Sequence, residues 1–115
     1  MMDIKIIKEK ISEKELRSLT EASYGDMIKG VVDVKQEILA LGGELHADAE
    51  AALLEEGSSQ ADLWGFNIYP GKPKDQRIEF SSFINIRPSQ GNRSIEIKDP
   101  DLKRKIREII DSLAE

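Results

Sequence analysis

One short segment holds the residues best suited to binding chemistry. Residues 84–94, INIRPSQGNRS, begin as a strand of alternating apolar and polar residues and continue into a loop with two arginines, two amides and two serines. Guanidinium groups bind phosphate or carboxylate bidentately, and amide side chains can add further hydrogen bonds. We therefore predict that a small anionic ligand binds at this loop. The predicted contacts are Arg87, Gln90, Asn92 and Arg93, with Asn85 and His46 beside them.

The same residue types also build turns. Pro88 restricts the backbone and Gly91 frees it, while serine and asparagine side chains bond to nearby backbone groups. The arginines could equally pair with the many carboxylates of an acidic protein. A phosphate-binding P-loop is excluded, because no lysine followed by serine or threonine comes after a glycine-rich run. The loop is therefore either an anion site or a structural turn.

His46 is the only histidine, so imidazole acid–base chemistry must use it. The segment ELHADAE, residues 44–50, places Glu44, His46, Asp48 and Glu50 at alternate positions. An extended chain would present these side chains on one side, where they suit Mg²⁺ or Mn²⁺. Alternatively, Asp48 caps a helix that begins at Ala49, and His46 makes a local hydrogen bond. The first interpretation predicts a metal site and the second predicts only a helix cap.

Composition removes several classes of function. The chain has no cysteine, which excludes disulfides, zinc–thiolate sites, iron–sulfur clusters and cysteine nucleophiles. No nucleophile-elbow pattern is present, and no cofactor is predicted. The net charge of −5 arises entirely within residues 1–76, which disfavours nucleic acid as a partner. No apolar run is long enough to span a membrane and the first residues lack a signal-peptide pattern, so we expect a cytoplasmic protein without a membrane partner.

Start and stop signals predict the elements that position these residues. Ser12 with Glu15 marks the start of one helix, and Asp99 with Pro100 marks the start of another. The predicted elements are a strand over 3–9, a helix closed by Gly25, a hairpin turning at Lys35 and Gln36, a helix over 49–56, strands within 61–71 and 77–88, and a final helix from Pro100. The order β-α-β-β-α-β-β-α predicts an α+β fold over residues 1–115 as a single compact domain. We expect a mainly antiparallel sheet of four to five strands with two or three helices.

Alternation within the last two strands predicts which residues lie on the core face of the sheet and which lie on the opposite face. One core face is predicted to hold Trp64, Phe66 and Ile68, joined by Ile78, Phe80, Ile84 and Ile86. Tyr24 is also expected to face the core. The opposite face is predicted to be polar, and it is where we expect chemistry. Its predicted members are His46, Asn67, Asn85 and Arg87.

Three stretches carry a resemblance to a known family. GGELHADAEA, DLWGFNIYP and INIRPSQGNRS resemble a small family of uncharacterised bacterial and archaeal proteins, a domain of unknown function. The similarity extends from the first strand to the last helix. It implies one compact cytosolic prokaryotic domain, and it supplies no activity for any residue.

Three classes of function therefore stay open. The first is a noncatalytic module that binds a small anionic ligand at the Arg87–Arg93 loop. The second is a homodimer formed through the second sheet face, where apolar side chains would be too exposed to stay in water. Its predicted contacts are Leu39, Leu41, Leu63, Tyr69 and Phe83. The third is a small metal-dependent hydrolase with Glu44, His46 and Asp48 as ligands and Arg87 neutralising developing charge. The absence of a recognised catalytic motif ranks the enzyme last.

Overall fold

A five-stranded antiparallel sheet forms the centre of the fold. The computed structural model describes residues 3–115, and its strands follow the order β1-β3-β2-β4-β5. The elements are β1 (Ile4–Ile7), α1 (Glu13–Glu21), β2 (Ile28–Asp33), β3 (Ile38–Gly42), α2 (His46–Glu55), β4 (Leu63–Ile68), β5 (Ile78–Glu79) and α3 (Pro100–Leu113). The predicted α+β class and element order are confirmed. Strand β1 lies at an edge of the sheet, where its lysines discourage pairing with another chain.

Helices cover both faces of this sheet. Helices α1 and α3 pack on the face that carries Trp64, Phe66 and Ile68, which are buried as predicted. Helix α2 packs on the opposite face, where Ala49 and Leu53 contact Val31, Ala40 and Leu63. Each fully buried aliphatic or aromatic side chain contributes about 1.5–3 kcal/mol. Both faces of the sheet are therefore largely covered by helices.

The helix starts follow the predicted capping chemistry. The Ser12 hydroxyl accepts a hydrogen bond from the backbone N–H of Glu15 at 3.1 Å. The Asp99 carboxylate likewise accepts from the N–H of Asp101 at 2.9 Å, with Pro100 in the first helical position. Tyr24 does not face the core as predicted, since it is 42% exposed and its hydroxyl donates to the Glu44 carbonyl at 2.7 Å.

Asp33 fixes the predicted hairpin turn. Its carboxylate accepts hydrogen bonds from the N–H groups of Lys35 and Gln36, both at 2.9 Å, and from the Ser58 hydroxyl at 2.6 Å. Burial alone would raise the pKa of Asp33, but these hydrogen bonds outweigh it and lower the pKa below its usual range. The ionised carboxylate therefore ties the β2–β3 turn to the segment that follows α2.

The fifth strand is much shorter than predicted. Only Ile78 and Glu79 pair with β4, and the chain then forms 3-10 turns at Phe83–Asn85 and Pro88–Gln90. Ile84 consequently packs against the α2 side of the sheet rather than with Ile78, and Ile86 is 44% exposed. The predicted core face of this segment is therefore wrong beyond Phe80.

Asn85 and Gly65 explain why the strand stops. The Asn85 amide accepts from the Gly65 N–H at 2.8 Å and donates to the Gly65 carbonyl at 3.0 Å, so it takes the place of a strand partner. Gly65 also lets the chain approach closely, because a Cβ there would lie 2.5 Å from the Ser82 Cβ. The Ser82 hydroxyl accepts from the Ile84 N–H at 3.2 Å and starts the turn. The alternating sequence pattern therefore does not continue as a strand here, because side chains make the backbone hydrogen bonds that a neighbouring strand would make.

Helix α2 begins three residues earlier than predicted. Its first residue is His46 and its N-cap residue is Leu45, whose N–H donates to the Asp48 carboxylate at 3.0 Å. Asp48 therefore stabilises the helix start from inside the first turn rather than as the cap. Because His46 and Asp48 are helical, the extended arrangement needed for a Glu44–His46–Asp48 metal site does not form. Within residues 3–115, no group of three or more His, Asp or Glu side chains is placed to hold a metal ion.

Candidate functional site

The structure divides the predicted polar face into two regions. His46 and Asn67 meet at one end of the sheet, whereas Asn85 and Arg87 belong to the 3-10 turns that follow β5. The two regions differ in what their polar atoms contact. We refer to residues 84–94 as the Arg87 loop.

Arg87 is bonded mainly to backbone carbonyls. Its Nε donates to the carbonyl of Ile84 at 3.1 Å, and its other nitrogens donate to the carbonyls of Gln60, at 2.9 Å, and Leu63. The guanidinium lies 4.6 Å from the centre of the Trp64 ring, and the side chain is only 11% exposed. These contacts join the loop to the start of β4. Because its guanidinium nitrogens already donate to carbonyls, Arg87 is poorly placed to bind an anion.

Other side chains of the Arg87 loop also bond to the protein's own backbone. The Asn92 amide donates to the carbonyls of Asn85, at 2.8 Å, and Glu96, at 3.1 Å, and accepts from the Lys98 N–H at 3.0 Å. Gln90 donates to the carbonyl of Ala61 at 3.0 Å. Arg93 is exposed. The geometry of this loop therefore favours the structural interpretation over an anion site.

His46 makes a longer-range contact than predicted. Its Nε2 lies 2.9 Å from both the Phe66 carbonyl oxygen and the Asn67 Oδ1. The orientation of the Asn67 amide is set by its other end, because Nδ2 donates to the Glu79 carboxylate at 2.7 Å. Both groups facing Nε2 are acceptors, so Nε2 must carry the proton. The remaining nitrogen, Nδ1, then presents a lone pair and has no hydrogen-bond partner among residues 3–115.

Strand pairing sets a row of polar side chains beside this histidine. Lys29 of β2 is opposite Asn67 of β4, and Asn67 is opposite Glu79 of β5. Tyr69 follows β4, where burial and the charge of Glu79 raise the pKa of its hydroxyl. We call Lys29, His46, Asn67, Tyr69 and Glu79 the His46 cluster. In the Arg87 loop most side-chain bonds go to backbone carbonyls, whereas here side-chain bonds join His46 to Asn67 and Asn67 to an exposed Glu79.

The surroundings of His46 keep its ring neutral. Burial lowers the pKa of His46, and the positive charge of Lys29 lowers it further. The Phe66 carbonyl, the Asn67 amide and Glu79 act in the opposite direction, but the net pKa lies below the ordinary value of 6.5. At pH 7 the imidazole therefore offers Nδ1 as a hydrogen-bond acceptor.

Lys29 supplies the positive charge of the cluster. Its ammonium donates to the Glu44 carbonyl at 3.0 Å, and the Tyr24 ring lies 5.4 Å away. No carboxylate among residues 3–115 forms an ion pair with it. An ammonium group has three donors, so Lys29 retains protons for another partner.

Sequence reasoning found only part of this cluster. It placed His46 and Asn67 on one polar face, and the structure brings them into contact. It assigned no role to Lys29 or Glu79, and it placed Tyr69 only among the contacts of a dimer surface. Alternation along the strands places Asn67 and Glu79 on one sheet face and could have indicated them. The register that brings the two side chains together depends on strand pairing, which alternation does not specify.

The predicted dimer surface is largely inside the protein. Leu39 and Leu41 are buried beneath α1 and α3, and Leu63 is buried beneath α2. Among the predicted contacts, Phe83 is exposed to solvent, with 84% of its surface accessible. Leu39, Leu41 and Leu63 are therefore not available as contacts of an apolar interface in this fold.

None of the helices within residues 3–115 combines the length and apolar character needed to cross a membrane. The fold and site together define an α+β domain with an antiparallel sheet covered by helices and a histidine-centred polar cluster at one end. Over residues 5–113 the chain matches the family described as protein of unknown function (DUF5674), and it belongs to that family. The family resemblance predicted from its sequence stretches is thus confirmed. No curated protein and no solved structure matches the chain.

Proposed function

We propose that this domain binds a small anionic ligand at the His46 cluster rather than at the Arg87 loop. One observation carries the proposal: two acceptors hold the Nε2 proton of His46, which leaves Nδ1 as an unpartnered acceptor beside a lysine. A ligand that fits must therefore donate a hydrogen bond to Nδ1. It must also bring negative charge to Lys29.

The chemistry of the two groups narrows the ligand further. A neutral imidazole nitrogen pairs well with a hydroxyl donor, and an ammonium pairs with carboxylate or phosphate. Small hydroxycarboxylates and phosphorylated polyols carry both groups. Glu79 orients the Asn67 amide, which in turn orients His46, so Glu79 acts through these residues rather than on the ligand.

A thermal-shift screen with matched ligands and variants tests this proposal. The ligands are lactate, glycerate and glycerol phosphate, each compared with an analogue that lacks either the hydroxyl or the charge. A ligand present at about 100 times its Kd stabilises the folded state by about 2.7 kcal/mol, which is readily measured. We expect His46→Ala and Lys29→Met to abolish the shift. Lys35→Met, at an exposed lysine on the β2–β3 turn, is the matched control and keeps it.

Two results with the variants would contradict the proposal. One is a ligand shift that survives both His46→Ala and Lys29→Met. The other is a shift abolished by Arg93→Ala alone, which would return the site to the Arg87 loop. The absence of a shift with every compound of both ligand classes would also count against it.

We also propose that the protein works in the cytoplasm of a bacterial or archaeal cell. The supporting observation is the family resemblance carried by GGELHADAEA, DLWGFNIYP and INIRPSQGNRS. Fractionation of cells that express the tagged protein tests the location. Recovery in the periplasmic or secreted fraction would contradict it.

A further inference from the structure

A cleft of about 460 Å³ lies between α2 and the 3-10 turns of Phe83–Asn85 and Pro88–Gln90. Its lining combines polar groups with two exposed apolar side chains, since Phe83 is 84% exposed and Ile86 is 44% exposed. An aromatic ring at the mouth of a cleft offers a large contact area to a ligand. We call this feature the Phe83 cleft; it shares no residue with the His46 cluster.

Glu50 lies in this cleft without a hydrogen-bond donor. Its side chain is only 13% exposed, and its Oε2 is buried with no hydrogen-bond partner. No residue within 3–115 donates to Oε1 either, and this oxygen is not enclosed. A carboxylate that is removed from water without donors loses hydration that nothing replaces. The cleft therefore presents one open carboxylate oxygen, Oε1, beside apolar side chains, and the enclosed Oε2 lies behind it without a donor.

Arg87 balances the charge of Glu50 but does not satisfy it. The closest approach between the guanidinium and Glu50 Oε2 is 3.7 Å, which is too long for a hydrogen bond. The Arg87 nitrogens donate instead to carbonyls, including those of Ile84 and Gln60. A ligand group that contacts Glu50 must consequently be a donor rather than an acceptor.

We propose that the Phe83 cleft binds a small primary ammonium compound with an apolar body. The ammonium donates to the Glu50 carboxylate, and a charge-assisted bond of this kind is about twice as strong as a neutral one. The apolar body covers Phe83 and Ile86. This site goes beyond the proposed function, because it selects the opposite ligand charge at a separate place.

An NMR titration with 2-phenylethylammonium tests this site. We expect saturable shifts of backbone amides at Glu50 and in residues 83–90. Glu50→Gln and Phe83→Ala should each weaken binding about tenfold or more, because a hydrogen bond to a charged group and an aromatic contact are lost. Glu55→Gln, at an exposed carboxylate on the same helix, is the matched control and should bind like the unaltered protein.

The anion 3-phenylpropionate, which has the same ring, tests charge selection. We expect it to leave these amides unshifted. Equal shifts with the anion, unaltered binding in Glu50→Gln, or no saturable shift with the ammonium compound would each overturn the proposal. Should Glu50→Gln fail to fold, Phe83→Ala still decides the outcome, because its ring is almost fully exposed.

Discussion

The Arg87 loop and the His46 cluster are both rich in polar side chains, but they use them in opposite ways. In the loop, Arg87 and Asn92 donate mainly to backbone carbonyls and thereby hold the chain after β5 in place. In the cluster, His46, Asn67 and Glu79 are linked side chain to side chain, and one ring nitrogen stays open. The comparison teaches that an arginine-rich loop can be a structural element, while a lone histidine marks the more available site.

The largest expected effect is that of Arg87→Ala on stability. The substitution leaves several carbonyl groups without a hydrogen-bond donor and leaves Glu50 without its ion-pair partner. Removing one member of such a buried pair costs about 3–5 kcal/mol. Urea unfolding should show this loss, whereas Arg93→Ala on the same loop should change the free energy of unfolding by less than about 0.5 kcal/mol. Equal effects of the two substitutions would mean that Arg87 has no special structural role.

Asn85→Ala should produce the next largest loss of stability. The Asn85 side chain is fully buried and satisfies both backbone groups of Gly65. Each buried group left without a partner costs about 1–3 kcal/mol, so the two groups together should cost at least about 2 kcal/mol in urea unfolding. An effect no larger than that of Ser89→Ala, at an exposed loop position, would contradict this role.

His46 should give a smaller, pH-dependent effect. Its pKa is lowered in the folded state, so below pH 6.5 the unfolded chain binds a proton that the folded protein does not. Stability should therefore be full above pH 6.5 and should decrease as the pH falls toward the folded pKa, by at most about 1.4 kcal/mol per pH unit. Urea unfolding at several pH values checks this. In His46→Gln, the loss of stability between pH 6.5 and the folded pKa of His46 should be smaller than in the unaltered protein. Identical pH profiles of stability for the two proteins would refute a lowered pKa for His46.

The smallest expected effect concerns Glu79→Gln. Glu79 is exposed, so the substitution should hardly change the melting temperature. It removes a negative charge that raises the pKa of His46, so that pKa should fall further. An NMR titration of the imidazole measures the change. A pKa that rises in this variant would contradict the cluster's electrostatics.

Local patterns predicted most of the fold because they depend on neighbouring residues. The Ser12 and Asp99 caps, the turn at Lys35 and Gln36 and the buried face of β4 follow from such short-range rules. The early end of β5 does not, because it depends on Asn85 reaching Gly65 across 20 residues of sequence. The start of α2 at His46 was also missed, because Asp48 resembles a cap but stabilises the helix from its first turn.

The site was predicted less completely for the same reason. The shared polar face of His46 and Asn67 was visible from alternation, and the structure joins them. The row from Lys29 through Asn67 to Glu79 requires the β2–β4–β5 register, which no local pattern specifies. The Arg87 loop looked functional because residue types suited to anion binding also suit backbone carbonyls.

NMR of the imidazole tests directly whether Nδ1 of His46 is an open acceptor, because one histidine gives one unambiguous set of signals. Long-range ¹H–¹⁵N spectra report which ring nitrogen carries the proton, and a pH titration reports the pKa. We expect a single tautomer protonated at Nε2, with a pKa below 6.5. A ring protonated at Nδ1, or a pKa at or above 6.5, would contradict an open acceptor at His46 and with it the proposed ligand site.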